Sequence, residues 1–301
     1  MKARFLLIGI LFFQIVQSQA VKVPGTKCSM VPPRGFKLSS GFSGFQEPAS
    51  ASSIMITEIP SEYNGIVSGF TAEALRSKGM EQVKREEVMM GKNKALLIKA
   101  SQMANGIKYI KLILLFGAAE NTVLVNAIFK ESFSQQEPAL RTSLLTTIYD
   151  AGQNADPAAA APFSVDVSGS GLKLVKYMGG SLIYSVDGKI PTERPMLIAG
   201  SSLGQKVAVK DQKEFCEARL RKLPKGESLL VKNEEPVSIN GMSGYELEAY
   251  GLNPANKPNL VYQVILFDES GNYYIIVGQS AEDMNSYLQH FKKTAKSFKR
   301  K

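Results

Sequence analysis

The chain has 301 residues, 36 Lys and Arg against 27 Asp and Glu for a formal charge of +9, 44% hydrophobic and 21% charged residues. That is a globular balance, so a disordered chain is excluded, and the length suits two domains of about 130 residues better than one. One histidine, two distant cysteines and no D-x-D-x-D-G loop leave no ordinary zinc or calcium set, so no metal or cofactor is expected.

The chain opens with MKAR, then FLLIGILFFQIV, then QSQA. A basic start, a short apolar core and small residues at Ser18 and Ala20 make 1–20 a secretory signal peptide, with the mature chain starting at Val21. Twelve apolar residues at 1.5 Å rise are too short to cross a hydrocarbon core of about 30 Å. The expected product is secreted or periplasmic, with no transmembrane segment in the mature chain.

Residues 21–150 form the first expected domain. GFKL at 35–38 begins it, SSIMITEIP is a β-rich run closed by Pro60, and SGFTAEALRSKGM is a candidate helix stopped by Gly79. Strand signals follow in EQVKREEVMM, KALLIKASQM, IKYIKLILLF and TVLVNAIF, separated by turns short enough for hairpins. The closing segment SFSQQEPALRTSLLTTIY puts Leu140, Leu144 and Ile148 four apart on one helical face. Residues 151–162, rich in Ala and Pro, form a linker.

Residues 163–301 repeat the order. GLKL at 171–174 matches GFKL; strand signals lie in LKLVKYM, SLIYS, PMLIAGSS and KVAVKD, and KEFCEARLRKL is the short helix. Strands then run through ESLLVKNEEPVSI, GYELEAYGL, LVYQVILF and YYIIVG, with Glu246 and Glu248 alternating against Tyr245, Leu247 and Ala249. The last helix, EDMNSYLQHFKKTAKSF, lines up Met284, Leu288, Phe291, Ala295 and Phe298. Strands joined by short turns must be antiparallel, and amphipathic helices need a sheet to cover. The expected fold class is α+β: two tandem α/β/α sandwich domains, each an antiparallel sheet with a helix after the first strands and a C-terminal helix.

The opening Pro33, Arg34, Gly35, Phe36, the GYE-type strand in GMSGYELEAYG, and YYIIVG resemble the PsbP and DcrB superfamily, once in each half. That resemblance implies an extracytoplasmic binding or accessory role and carries over no catalytic residue.

Chemistry is sparse. GSSLG at 200–204 fits G-x-S-x-G, and Ser202, Asp268 and His290 follow the order of an α/β hydrolase triad, giving a serine hydrolase as the alternative function. The context argues against it, since QKVAVKD after the motif has strand pattern where a helix should open. Glu86 with Glu87, and Glu234 with Glu235, are adjacent in strands and point to opposite faces, which suits solvated edges better than an acid/base pair. Cys28 and Cys216 either pair as a disulfide in an exported chain or stay separate thiols.

The last eleven residues, FKKTAKSFKRK, hold six bases and no acid. A basic tail of this kind is either a solubilising face or a peripheral contact with an anionic membrane. No basic face with stacking groups runs along the rest, so no nucleic acid is expected. The reading is a non-catalytic binding or accessory protein, its partner an unidentified protein or envelope component.

Overall fold

The computed structural model describes residues 19–118, 120–203 and 205–301. The expected leader, 1–20, lies outside them apart from Gln19 and Ala20. Regular structure begins at Val21–Lys22, which pairs with Ser29–Met30, while Ile148–Tyr149 pairs with the other edge of Cys28–Ser29.

Two seven-stranded antiparallel sheets follow, each with helices packed on both faces. The first contains β1 (Lys37–Leu38), β2 (Gly44–Glu47), β3 (Ser52–Ile59), β4 (Met80–Met90), β5 (Asn93–Ala104), β6 (Ile107–Ala118) and β7 (Asn121–Lys130). Its order is β1-β2-β3-β7-β6-β5-β4. The second contains β8 (Lys173–Met178), β9 (Ser181–Ser185), β10 (Met196–Ser201), β11 (Leu230–Ile239), β12 (Met242–Leu252), β13 (Pro258–Phe267) and β14 (Tyr273–Ser280). Its order, β8-β9-β10-β14-β13-β12-β11, is the first shifted by seven. The fold is therefore two tandem α/β/α sandwiches, as the matching order of elements predicts. The likeness extends to irregularity: both outer edge strands carry a register shift near their start, at Gln82/Lys84 in β4 and at Val231/Asn233 in β11. Bulges there twist the exposed edges and blunt edge-to-edge pairing, and Pro236 in β11 removes one more donor.

Helices differ more. On one face of the first sheet lie α1 (Tyr63–Ser68) and α2 (Ala72–Arg76), and on the other α3 (Glu137–Leu144). The second sheet carries α4 (Gln212–Arg221) on one face and α5 (Met284–Lys296) on the other. Four cores result, one under each helical layer. Strand β13 is buried at every position but its first, because both of its faces are covered. Gly278 lets α5 settle onto the sheet, since a Cβ there would lie 2.5 Å from the Phe291 ring, and Gly244 of the GYE strand would place its Cβ 1.8 Å from the Ile265 carbonyl oxygen.

Three expectations change. The helix across 68–80 shrinks to α2, capped by Thr71 Oγ1 accepting from the Ala74 amide, while α1 was not foreseen. Ile148 does not continue the helical face of Leu140 and Leu144. Thr146 and Thr147 donate their hydroxyls to the carbonyls of Ser143 and Leu144, the helix stops, and Ile148 becomes an exposed strand residue. KVAVKD is no strand: Val209–Asp211 forms a 3-10 turn leading into α4.

The basic C-terminus is folded in. Phe291, Ala295 and Phe298 are buried, and Lys299–Arg300 pairs with Phe163–Ser164. Among the described residues no helix is long and apolar enough to cross a membrane.

Candidate functional site

The residues singled out for chemistry are scattered. Ser202 Oγ accepts from the Tyr273 amide at 3.1 Å and borders a hollow with Met55, Ile128 and Leu203. Gly204 of its motif lies outside the described residues. Asp268 closes the β13–β14 hairpin: Oδ1 accepts from the amides of Ser270 and Asn272, and Oδ2 from Asn272 Nδ2, all at 2.9 Å. His290 sits on α5 with its ring 5.8 Å from that of Tyr287. No hydrogen bond joins any two of the three.

The Cys28–Cys216 bridge is not formed. Cys28 is buried in the core beneath α3 and Cys216 in the core beneath α4, so each thiol belongs to a different sandwich. Burial pushes both up to about 12, with Glu58 adding to the effect at Cys28 and Glu234 and Glu217 at Cys216. Neither is poised as a nucleophile, because the thiolate is the reactive form. The first glutamate pair does split between faces: Glu86 meets Lys84 and Arg141, Glu87 meets Lys94. Glu246 and Glu248 point under α5, where Lys292 holds both and Tyr262 donates its hydroxyl to Glu246 Oε2 at 2.8 Å. Among the described residues no group of His, Cys, Asp and Glu is gathered to hold a metal ion.

What the structure does bring together is a cleft between the two sandwiches, about 590 Å³ in volume. One wall comes from Thr26 and Lys27, from Ile56, Glu58 and Pro60 on and after β3, and from Asn121. The other comes from Val175, Lys176 and Tyr177 of β8 and from the loop Gly188–Pro191. Ala155 and Pro157 of the expected linker border the cleft between them.

Local structure explains how these side chains arrive. In a regular strand consecutive residues alternate faces. Strand β8 has an extra residue at Val175, where the register with β9 shifts between Leu174 and Lys176, so three consecutive residues can border one space. Tyr177 then reaches across and donates its hydroxyl to the Gly41 carbonyl at 2.6 Å, tying the second sandwich to the first. The neighbouring loop on the same wall is held by its own polar groups. Asp187 Oδ2 accepts from Thr192 Oγ1 at 2.9 Å and Ser185 Oγ from the Lys189 amide at 2.9 Å. Such loops are ordered before any ligand arrives, which lowers the entropic cost of binding.

A second hollow of about 650 Å³ lies within the first sandwich, lined by Met90, Phe116, Leu145 and Ile148 together with Asn93, Thr146 and Thr147, and among the described residues no charged side chain borders it. The inter-sandwich cleft is the better candidate because both sandwiches line it and its apolar walls carry charged groups, Lys27, Glu58, Lys176 and Lys189, that can orient a ligand.

No family model matches the chain, and no curated protein matches it in sequence. Solved structures similar to it include LpqN, involved in cell envelope biogenesis of Mycobacterium tuberculosis, at 16% identity over 48% of this chain and 82% of that one, with a TM-score of 0.35. The cyanobacterial PsbP of Synechocystis sp. PCC 6803 matches at 13% identity over 50% of this chain and 100% of its own, TM-score 0.31. The immunity protein TplEi of the T6SS of Pseudomonas aeruginosa spans 93% of this chain and 97% of its own at 9% identity, TM-score 0.37. At these identities and TM-scores none of them carries a family or a function to this chain.

Proposed function

We propose that this chain is an exported, non-catalytic binding protein that holds its ligand, or a projecting part of an envelope component, in the cleft between two rigid sandwiches. The observation that carries the reading is the cleft itself: both sandwiches and the segment between them line one space, and Tyr177 and the Asp187 loop fix its walls. The dispersal of Ser202, Asp268 and His290 supports binding over hydrolysis.

Native mass spectrometry of the protein recovered from its own exported fraction tests the proposal. The expected result is a bound species that an Ile190→Trp variant, whose indole fills the cleft, fails to retain. Equal retention by both, or no bound species in either, sinks it. A serine-directed phosphonate probe is expected to leave the protein unlabelled; labelling abolished by Ser202→Ala would favour the hydrolase instead.

A further inference from the structure

The cleft carries more positive charge than the protein itself answers. Of the charged side chains bordering it among the described residues, Lys27, Lys176 and Lys189 are basic and Glu58 is acidic. Glu58 Oε1 accepts the Lys27 amide at 2.5 Å. Lys27 turns its own ammonium to the Ala151 carbonyl at 3.1 Å. The acids on the flanking loops face other donors and form no ion pair with a cleft lysine among the described residues: Asp187 accepts from Thr192 Oγ1 and the Lys189 amide, and Asp156 Oδ1 from the Ala158 amide.

Lys27 has the Ala151 carbonyl and Lys189 stands exposed, so of the three only Lys176 combines partial burial with an ammonium unpaired among the described residues. It is half-buried on the bulged edge strand, and it makes no ion pair and no side-chain hydrogen bond among the described residues. Burial draws its amine below the ordinary lysine value. A partly desolvated cation without a counter-charge is unfavourable, and an arriving anion offsets that cost. Around it the walls are apolar, formed by Ile56, Val175, Ile190 and Pro191.

We propose that the cleft takes a small organic anion with an apolar body, its charged group at Lys176 and its body against Ile56, Val175 and Ile190. The inference rests on the reading of the cleft as the ligand site. A volume of about 590 Å³ suits a compact molecule of drug-like size.

A matched pair of fluorescent probes tests it on the unaltered protein: 8-anilinonaphthalene-1-sulfonate, an apolar anion, and N-phenyl-1-naphthylamine, the same ring pair without the sulfonate. The sulfonate is expected to bind at least about tenfold more tightly, a difference of one ordinary charge-assisted contact. Lys176→Gln should erase that preference and leave the neutral probe unchanged, while Lys176→Arg keeps it. Ile190→Trp should weaken both. Equal affinity for the two probes, unchanged by Lys176→Gln but lost in Ile190→Trp, overturns the anion preference and leaves the cleft standing. Binding of both probes that ignores Ile190→Trp overturns the cleft reading as well. Displacement of the sulfonate by inorganic phosphate as readily as by dodecanoate overturns the apolar body.

Discussion

The two sandwiches share one strand order and fasten their closing helices in different ways. In the first, α3 is tied at its rim: Arg141 lies 2.9 Å from Glu86 and Lys99 2.8 Å from Glu137, with every side chain at least 27% exposed. In the second, α5 is tied from inside. Lys292 reaches Glu248 and, at 3.2 Å, Glu246, whose side chain is 8% exposed and also takes the hydroxyl of the fully buried Tyr262. Exposed pairs contribute about 0–1 kcal/mol, whereas removing one partner of a buried pair costs about 3–5 kcal/mol, because the other charge is stranded. One topology therefore supports two energetic designs, and the second depends on a single lysine.

The largest expected effect follows from that dependence. Lys292→Met keeps the aliphatic stem and strands Glu246 and Glu248, so the second sandwich should lose about 3–5 kcal/mol at neutral pH. The cysteines report each sandwich separately, since Cys28 is buried in the first and Cys216 in the second. In a denaturant series with thiol labelling, located by peptide mass, Cys216 should become reactive at lower denaturant in the variant while Cys28 keeps its midpoint. If both midpoints move together, the sandwiches unfold as one unit and the comparison fails.

A smaller effect appears with pH. Hydrogen bonding to Glu248 first, then to Glu246, raises the Lys292 pKa, against a partial offset from desolvation. A raised lysine contributes stability that is fully present below its unfolded value, about 10.4, and is lost as pH climbs through the folded value. Burial, then the charge of Glu246, also raises Tyr262, and the sign is the same. The melting temperature of the second sandwich should therefore fall as pH rises above about 10, and Tyr262→Phe and Lys292→Met should each flatten part of that fall. A slope identical in the wild type and both variants would show that the buried network does not set alkaline stability.

Much of this contrast was legible in the chain and some was hidden for physical reasons. The strands were visible because alternation and short turns mark antiparallel hairpins, and the α5 stripe because Phe291 and Ala295 recur at helical spacing, with Phe298 buried just past the helix end. Glu246 and Glu248 gave the correct alternation, yet nothing local says that the face they occupy is roofed by α5 with Lys292 pointing inward. KVAVKD alternates like a strand, but Val207 is buried while Val209 is 82% exposed on a 3-10 turn, a case of tertiary placement overriding pattern. Helix α1 has too little apolar period to stand out and is held by its contact with the core beneath it. The cleft was the least legible part, since its residues come from separate segments. Lys176 acquires meaning only once the bulge at Val175 is known.

The smallest predicted effect sharpens the comparison from the other side. Arg141→Ala removes a pair of similar length to that of Lys292, but Glu86 keeps Lys84 at 2.9 Å and, with its side chain 27% exposed, stays open to water. Hydrogen bonding from Lys84 lowers the Glu86 pKa against an opposing desolvation, with the charge of Arg141 a lesser contribution, so losing the arginine strands nothing. Stability of the first sandwich, read from the Cys28 labelling midpoint, should fall by no more than about 1 kcal/mol. A loss above about 2 kcal/mol would mean that α3 is also anchored by charge, because the rim pair would then behave like the buried one, and burial would no longer explain why the two closing helices differ.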